Sequence, residues 1–215
     1  MTEFRIYPGP NSGFFSGIER ALSGDSPPLV GIEVNITEEI TKRLQEKGKV
    51  TVVGLGEMFA ASLVAIATHH KSDVEQGRLL IIATNWEEFN TREALDYITR
   101  IVSIGANIAN VPDLKTLQFI QRNMELVNWH NGVDTTDLSE RLGRETVDIV
   151  HENYGGLFRH PNGTNALLSI REAMVPQGVL FTTENLAQPK KYGNLDNTGF
   201  ARVKKISKYH VYQRR

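Results

Sequence analysis

Lys49-Val50-Thr51-Val52-Val53-Gly54-Leu55-Gly56-Glu57, followed by the helix-like stretch Met58 to His70, decides the fold. A β-branched apolar run, a glycine-rich turn and a helix together open a βαβ unit. Upstream, Thr37 reads as a capping-box-like start and Glu38 to Lys47 as a short amphipathic helix stopped by Gly48. Downstream, Leu79 to Thr84 is a short apolar run suited to a strand buried on both faces. Thr91 to Ile104 and Leu114 to Leu126 carry helical spacing, and Ala106 to Val111 and Leu126 to His130 read as strands. Val147 to His151 is a strand, and Asn165 to Met174 a helix stopped at Pro176-Gln177-Gly178. Val179 to Thr183 is the next strand, and Phe200 to Ile206 with Lys208 to Gln213 alternate as a closing antiparallel pair. Strands alternating with helices predict a mostly parallel sheet covered on both faces.

The expected fold is therefore α/β: a Rossmann-like, doubly wound, mostly parallel sheet with a C-terminal antiparallel hairpin and a helical N-terminal extension. The division expected is residues 1–48 as an extension or lid and 49–215 as the ligand-binding domain. The 215 residues suit one domain with a small appendage, burying about 70% of the unfolded surface. The absence of cysteine excludes disulfides, thiolate metal sites and a cysteine nucleophile. Met1 to Pro10 lacks the basic and apolar regions of a signal peptide, and no apolar stretch approaches the length that crosses a bilayer. A cytoplasmic protein without a membrane partner is the expectation.

The formal charge of −1 gives no general pull toward nucleic acid, but it is a cancellation. Residues 190–215 hold eight basic side chains and one acid, a net of +7 that leaves −8 on the other 189 residues. Lysines on an edge strand block edge-to-edge association; the same patch could attract an anionic substrate or carrier.

Ligands of such sheets bind beyond the carboxyl ends of the strands, near the point where strand order reverses. Gly54 and Gly56 there permit a tight turn and close approach to a nucleotide-bearing ligand, with the amides of the following helix aimed at it. A dinucleotide fingerprint would want a third glycine at Phe59 and an acid at Asn85, which weakens a nicotinamide reading. Asp134-Thr135-Thr136-Asp137 follows a strand: Asp134 could meet an adenine amino group, while Asp137 is placed to cap the helix Leu138 to Leu142. His151-Glu152-Asn153-Tyr154-Gly155-Gly156 ends the clearest strand with four polar side chains and is the candidate reacting end. Arg159, His160 and Asn185 could line the same cleft. His69-His70 lacks a carboxylate at metal spacing, so no metal site is expected.

With these pieces in place, roughly residues 49–215 resemble the class I S-adenosylmethionine-dependent methyltransferases. Val147 to Val150 is similar to that family's fourth strand, and Ala166 to Thr182 to its helix, Pro-Gly-Gly and strand element. Thr198-Gly199-Phe200-Ala201-Arg202-Val203 is similar to the start of its terminal hairpin, and Asn131 to Leu138 to its adenine-side loop. Where the family usually carries an acid before the first glycine, a third glycine, and a ribose-gripping acid after the second strand, this chain has Val52, Met58 and Asn85, with Glu87 and Glu88 nearby.

The resemblance implies S-adenosylmethionine as cofactor. It implies Gly54, Gly56 and Glu57 on the methionine and ribose side, with Asn85 or Glu87 at the ribose and Asp134 at the adenine. His151, Glu152, Asn153 and Tyr154 would stand at the reacting end, and Tyr7, Phe14 and Phe15 could form a lid over the acceptor. Three functions follow. The leading one is methyl transfer to a small-molecule acceptor, free or carrier-borne. The second is a cyclase or lyase in which the cofactor's own amine or carboxylate displaces methylthioadenosine. The third is a non-catalytic, methyltransferase-like binding subunit. Homo-oligomerisation is open at this level.

Overall fold

The computed structural model describes residues 29, 31–56, 60–86, 88, 90–105, 113–152, 157, 160–192 and 195–215. The expected strand at 106–111 lies outside them. In chain order the elements are α1 (Ile32–Lys47), β1 (Val50–Leu55), α2 (Ala61–His69), α3 (Lys71–Glu75), β2 (Leu79–Asn85), α4 (Thr91–Ser103) and α5 (Leu114–Asn123). There follow β3 (Asn128–Asn131), α6 (Leu138–Leu142), β4 (Val147–Glu152), α7 (Gly163–Ala173), β5 (Met174–Thr182), α8 (Pro189–Tyr192), β6 (Phe200–Ile206) and β7 (Tyr209–Arg214).

The seven strands form one sheet in the order β3-β2-β1-β4-β5-β7-β6. β1 to β5 run parallel, and β7 pairs antiparallel with both β5 and β6. This is the doubly wound sheet with a terminal hairpin that the strand and helix pattern predicts.

Successive strand residues point to opposite faces, so an apolar run fills two cores at once. Val52, Ile81, Ala83, Ile149 and Phe181 face α1, α2, α4 and α5 in one core. Val53, Leu55, Ile82, Val150 and Leu180 face α6 and α7 in the other. The first layer includes Ile32, Ile36 and Ile40, spaced one helical turn apart on α1. Burying Ile36 and Ile40 completely is worth about 1.5–3 kcal/mol each.

Two local expectations change and one holds. α1 begins at Ile32, not at Thr37, which is buried within the helix; Gly31 precedes it without a side-chain cap. The stop at Gly48 holds, with φ 74 and its N–H on the Leu44 carbonyl. Pro176-Gln177-Gly178 does not stop α7, which ends at Ala173; the triplet sits inside β5. There the register to β4 jumps from Met174↔Val147 to Val179↔Ile149, with Gln177 at φ 64. The irregularity is fastened from α1: Arg43 donates to the Gln177 carbonyl at 2.6 Å, while Asp148 takes the Thr51 N–H at 3.0 Å and the Lys47 ammonium at 2.8 Å. A ladder broken by an extra loop leaves backbone groups that side chains must satisfy.

Candidate functional site

Strand order reverses between β1 and β4, so the carboxyl ends of those strands define the ligand-binding edge. The registers set one row along it, His130–Thr84–Leu55–Glu152–Thr182, with the pair Asn85 and Asn131 one residue further out. Gly56 closes β1 with φ 68, a left-handed backbone that a side chain adopts only under strain. The Thr84 hydroxyl donates to the Gly54 carbonyl at 3.0 Å and ties the first two strands together at that turn.

On the β2–β3 side, Asn85 is 5% exposed, and its carbonyl accepts the Val133 N–H at 2.9 Å. Asn131 donates to the Thr91 hydroxyl at 3.1 Å, joining the end of β3 to the start of α4. Glu88 folds over Gly132, where a Cβ would lie 2.7 Å from the glutamate Cγ. Gly132 also has φ 68, so both backbone and space call for glycine at the head of the loop between β3 and α6. Among the described residues, Glu88 is the acid at this loop.

Asp134 is half-exposed and caps the following turn by accepting the Thr136 N–H and hydroxyl, each at 2.8 Å. Asp137, the expected cap of α6, makes no side-chain cap bond. His160 joins Asp134 from 26 residues away, at 2.9 Å. The His160 Nδ1 accepts the Asn162 N–H at 3.0 Å, so its proton sits on Nε2 and is donated to the aspartate. Partial desolvation pulls the Asp134 pKa up, but the bonds from Thr136 and His160 outweigh it and hold the carboxyl below its ordinary value. The structure thus brings His160, expected on the acceptor side, into contact with Asp134.

The expected pair His151 and Glu152 does not converge. Both are fully buried, and as strand neighbours they face opposite ways. His151 lies on the α1–α2 face, 5.9 Å from the Tyr209 ring centre. Glu152 lies on the α7 face, where its Oε2 accepts the Thr182 hydroxyl at 2.7 Å and the Thr183 hydroxyl at 3.3 Å.

Beyond Glu152 is a polar cluster that the sequence reading left mostly unassigned. The Thr182 hydroxyl, donating to Glu152, accepts the Glu184 N–H at 2.9 Å. Glu184 is 5% exposed and holds the Tyr192 hydroxyl at 2.6 Å and the Lys191 ammonium at 2.9 Å on one oxygen. Burial and the adjoining Glu184 carboxylate push the Tyr192 pKa well above its ordinary value, so it remains a donor. Tyr212, its pKa also raised by burial, accepts the Leu186 N–H at 3.0 Å and donates to Asn185 Oδ1 at 3.4 Å. Asn185, expected to touch substrate, spends that oxygen on Tyr212 and the Ala187 N–H. The signal was present in Thr182-Thr183-Glu184-Asn185, four polar residues ending an apolar run, as in the loop after β4.

Glu57, Glu87, Asn153, Tyr154, Arg159, Tyr7, Phe14 and Phe15 lie outside the described residues. Among the described residues no group of three His, Asp or Glu could hold a metal ion, and no helix is long and apolar enough to cross a membrane. Surface hollows of about 340 Å³ beside Gln118, Gln121 and Arg122, and of about 260 Å³ beside His70, Asp73 and Arg78, lie away from the carboxyl edge. Topology and converging polar groups, not these hollows, mark the site.

The fold is that of the class I S-adenosylmethionine-dependent methyltransferases. No family model matches the chain, and no curated protein matches it. Among solved structures it is similar to the O-methyltransferase NovP, at 12% identity over 85% of this chain and 78% of that one, with TM-score 0.54. It is similar also to the carbon methyltransferases DszA (14% identity, 85% and 53% covered, TM-score 0.52) and CurJ (12% identity, 85% and 54% covered, TM-score 0.52). The chain spans about half the length of the latter two.

Proposed function

We propose that the protein is an S-adenosylmethionine-dependent methyltransferase acting on a small-molecule acceptor, free or carrier-borne. The observation that carries this reading is the carboxyl edge at the β1–β4 reversal, where the left-handed Gly56 turn is flanked by the polar strand ends Asn131, Asn85 and Thr84 on one side and Glu152 and Thr182 on the other.

The described residues fit the cofactor. The Gly54–Gly56 turn carries no side chain at either glycine and takes a left-handed backbone at Gly56; Asn85 and Glu88 supply a carboxamide and a carboxylate for a ribose diol; and Asp134, fixed by Thr136 and His160, has a second oxygen for an adenine amino group. The absent carboxylates at Val52 and Asn85 are thus partly replaced by Glu88. When bound, S-adenosylmethionine supplies a methyl group already activated on a sulfonium, so no fixed triad is needed. This chain's residues align the acceptor, exclude water and place negative charge near the cation. Glu152 and Glu184 are the carboxylates on the described acceptor side, with Glu152 oriented by Thr182. Glu57, Glu87, Asn153 and Tyr154 remain assigned to cofactor and acceptor as the resemblance implies, and Arg159 to the cleft beside them. Any cover over the acceptor is assigned to Tyr7, Phe14 and Phe15, because Ile32–Lys47 is packed into the sheet. A cytoplasmic role in small-molecule metabolism accompanies this reading.

Calorimetry with S-adenosylmethionine, followed by mass spectrometry of the product, tests it. Binding followed by S-adenosylhomocysteine in the presence of acceptor supports methyl transfer. Methylthioadenosine as product would replace that reading with internal displacement. No binding at millimolar ligand would leave a non-catalytic subunit.

A further inference from the structure

β6 is the edge strand of the sheet, and its cations are not distributed at random between the two faces. Lys205 pairs with His210 and Arg202 with Tyr212 across the β6–β7 ladder, whereas Lys204 pairs with Val211. Directly opposed residues share a face, with Cβ atoms about 5 Å apart. Tyr212 belongs to the α7-side core and Val211 to the α1-side core. Arg202, Lys205 and His210 therefore stand together on the α7 face, and Lys204 stands on the other. The His210 ring stacks on Tyr212 at 6.2 Å and 23°, and Tyr212 reaches Asn185 on the loop after β5. His210 is itself opposite Thr182, the last residue of the polar edge row.

We propose that Arg202, Lys205 and His210 form a binding site for a dianionic phosphomonoester group at the acceptor end of the carboxyl edge. Arg202 and Lys205 are exposed and make no ion pair among the described residues. The acid facing His210 is Glu184 from the β5–α8 loop, already engaged by Lys191 and Tyr192. The ring's Nδ1 is buried and has no hydrogen-bond partner among the described residues, so a ligand would meet the ring from its Nε2 side. Burial holds the His210 pKa down, and the positive field of Arg202 and Lys205 lowers it further. A planar guanidinium fork, an ammonium and an imidazole offer donors to several oxygens of one phosphate. That the phosphate belongs to the methyl acceptor rests on the proposed methyl transfer; the anion site itself does not.

NMR of the His210 ring in the full chain, at constant ionic strength, tests the site with inorganic phosphate and methyl phosphate. The expected result is a saturable shift with upward movement of the His210 pKa. Arg202→Ala with Lys205→Ala should weaken the response about tenfold, the loss expected for charge-assisted contacts. Lys204→Ala, on the opposite face, should leave it unchanged. Retained S-adenosylmethionine binding in the double variant would show that its fold and the cofactor reading stand apart from the phosphate site. A response equal in chloride, or equally lost in Lys204→Ala, would overturn the proposal. So would tighter binding of dimethyl phosphate, a stand-in for a carrier linkage, or of a single-stranded oligonucleotide without a response to methyl phosphate.

Discussion

Thr182→Val replaces one buried hydroxyl by a methyl of nearly the same shape and tests the link between β4 and β5 at the candidate site. In the folded chain that hydroxyl donates to Glu152 at 2.7 Å and accepts the Glu184 N–H at 2.9 Å, with Thr182 and Glu152 both fully buried. A hydrogen bond to a charged group contributes about 1.5–3 kcal/mol, and a buried N–H left without a partner costs about 1–3 kcal/mol. Thr183 remains on the same carboxylate oxygen at 3.3 Å and recovers part of the loss. The expected destabilisation is about 3 kcal/mol, or a fall in Tm of about 6–12 °C for a chain of this size. Urea titration followed by far-UV circular dichroism measures it. Thr183→Val, which breaks the longer and less buried contact, should cost under about 1 kcal/mol. If Thr182→Val stayed within about 0.5 kcal/mol of the parent, or if Thr183→Val cost as much, the hydroxyl relay would not be what holds Glu152.

Gly56→Val should abolish S-adenosylmethionine binding by calorimetry while the far-UV spectrum persists, because a β-branched residue at φ 68 must reshape the turn; affinity within threefold of the parent would put the ligand elsewhere. Trp86, 67% exposed at the end of β2, should report ligand at this edge: S-adenosylhomocysteine should change its emission, and Trp86→Phe should remove that change, since the other tryptophan, Trp129, is tied to the Met124 carbonyl. Burial lowers the pKa of both His70 and His210 below 6.5, so the unfolded chain binds protons first as the pH falls. Their contribution is intact above 6.5 and should be lost progressively below it; urea midpoints should fall less steeply with pH in His70→Gln, and an unchanged slope would refute the burial argument.

The parallel sheet was legible because a strand buried on both faces must be apolar at nearly every position, as Ile81 to Ala83 and, apart from Asp148, Val147 to Val150 are. The glycine turn was legible because Gly54 and Gly56 interrupt such a run at its end. Legibility failed where the deciding contacts are distant in sequence. Nothing in Asp134 announces His160, and nothing in Thr182 announces that its hydroxyl will bridge Glu152 and Glu184. Adjacency also misled: His151 and Glu152 read as one polar cluster, yet the two-residue period of a strand sends them to different cores. The helix start was misread because Gly31 leaves no capping signature, whereas Thr37, which looks like one, is an interior residue. Pro176-Gln177-Gly178 resembles a helix stop but is a bulge that survives inside β5 because Arg43 reaches it from α1.

The cationic hairpin shows how one composition signal divides once faces are known. An edge strand needs charge to deter pairing with another chain, and a lysine on either face serves that purpose. Edge protection alone therefore predicts that Lys204, Lys205 and Arg202 are interchangeable. The ladder makes them different: Lys205 and Arg202 share the face of His210 and Tyr212, and Lys204 does not. The same face leads through Tyr212 to Asn185 and through Thr182 to Glu152, at the carboxyl edge where the proposed ligand site lies. Like charges gathered beside a histidine lower its pKa and disfavour its own charging, a cost that solubility does not require. An anion bound between them removes that repulsion, so the arrangement is better matched to a ligand than to water. Loss of Lys204 should then affect self-association alone, whereas loss of Arg202 and Lys205 should affect phosphate binding at the edge.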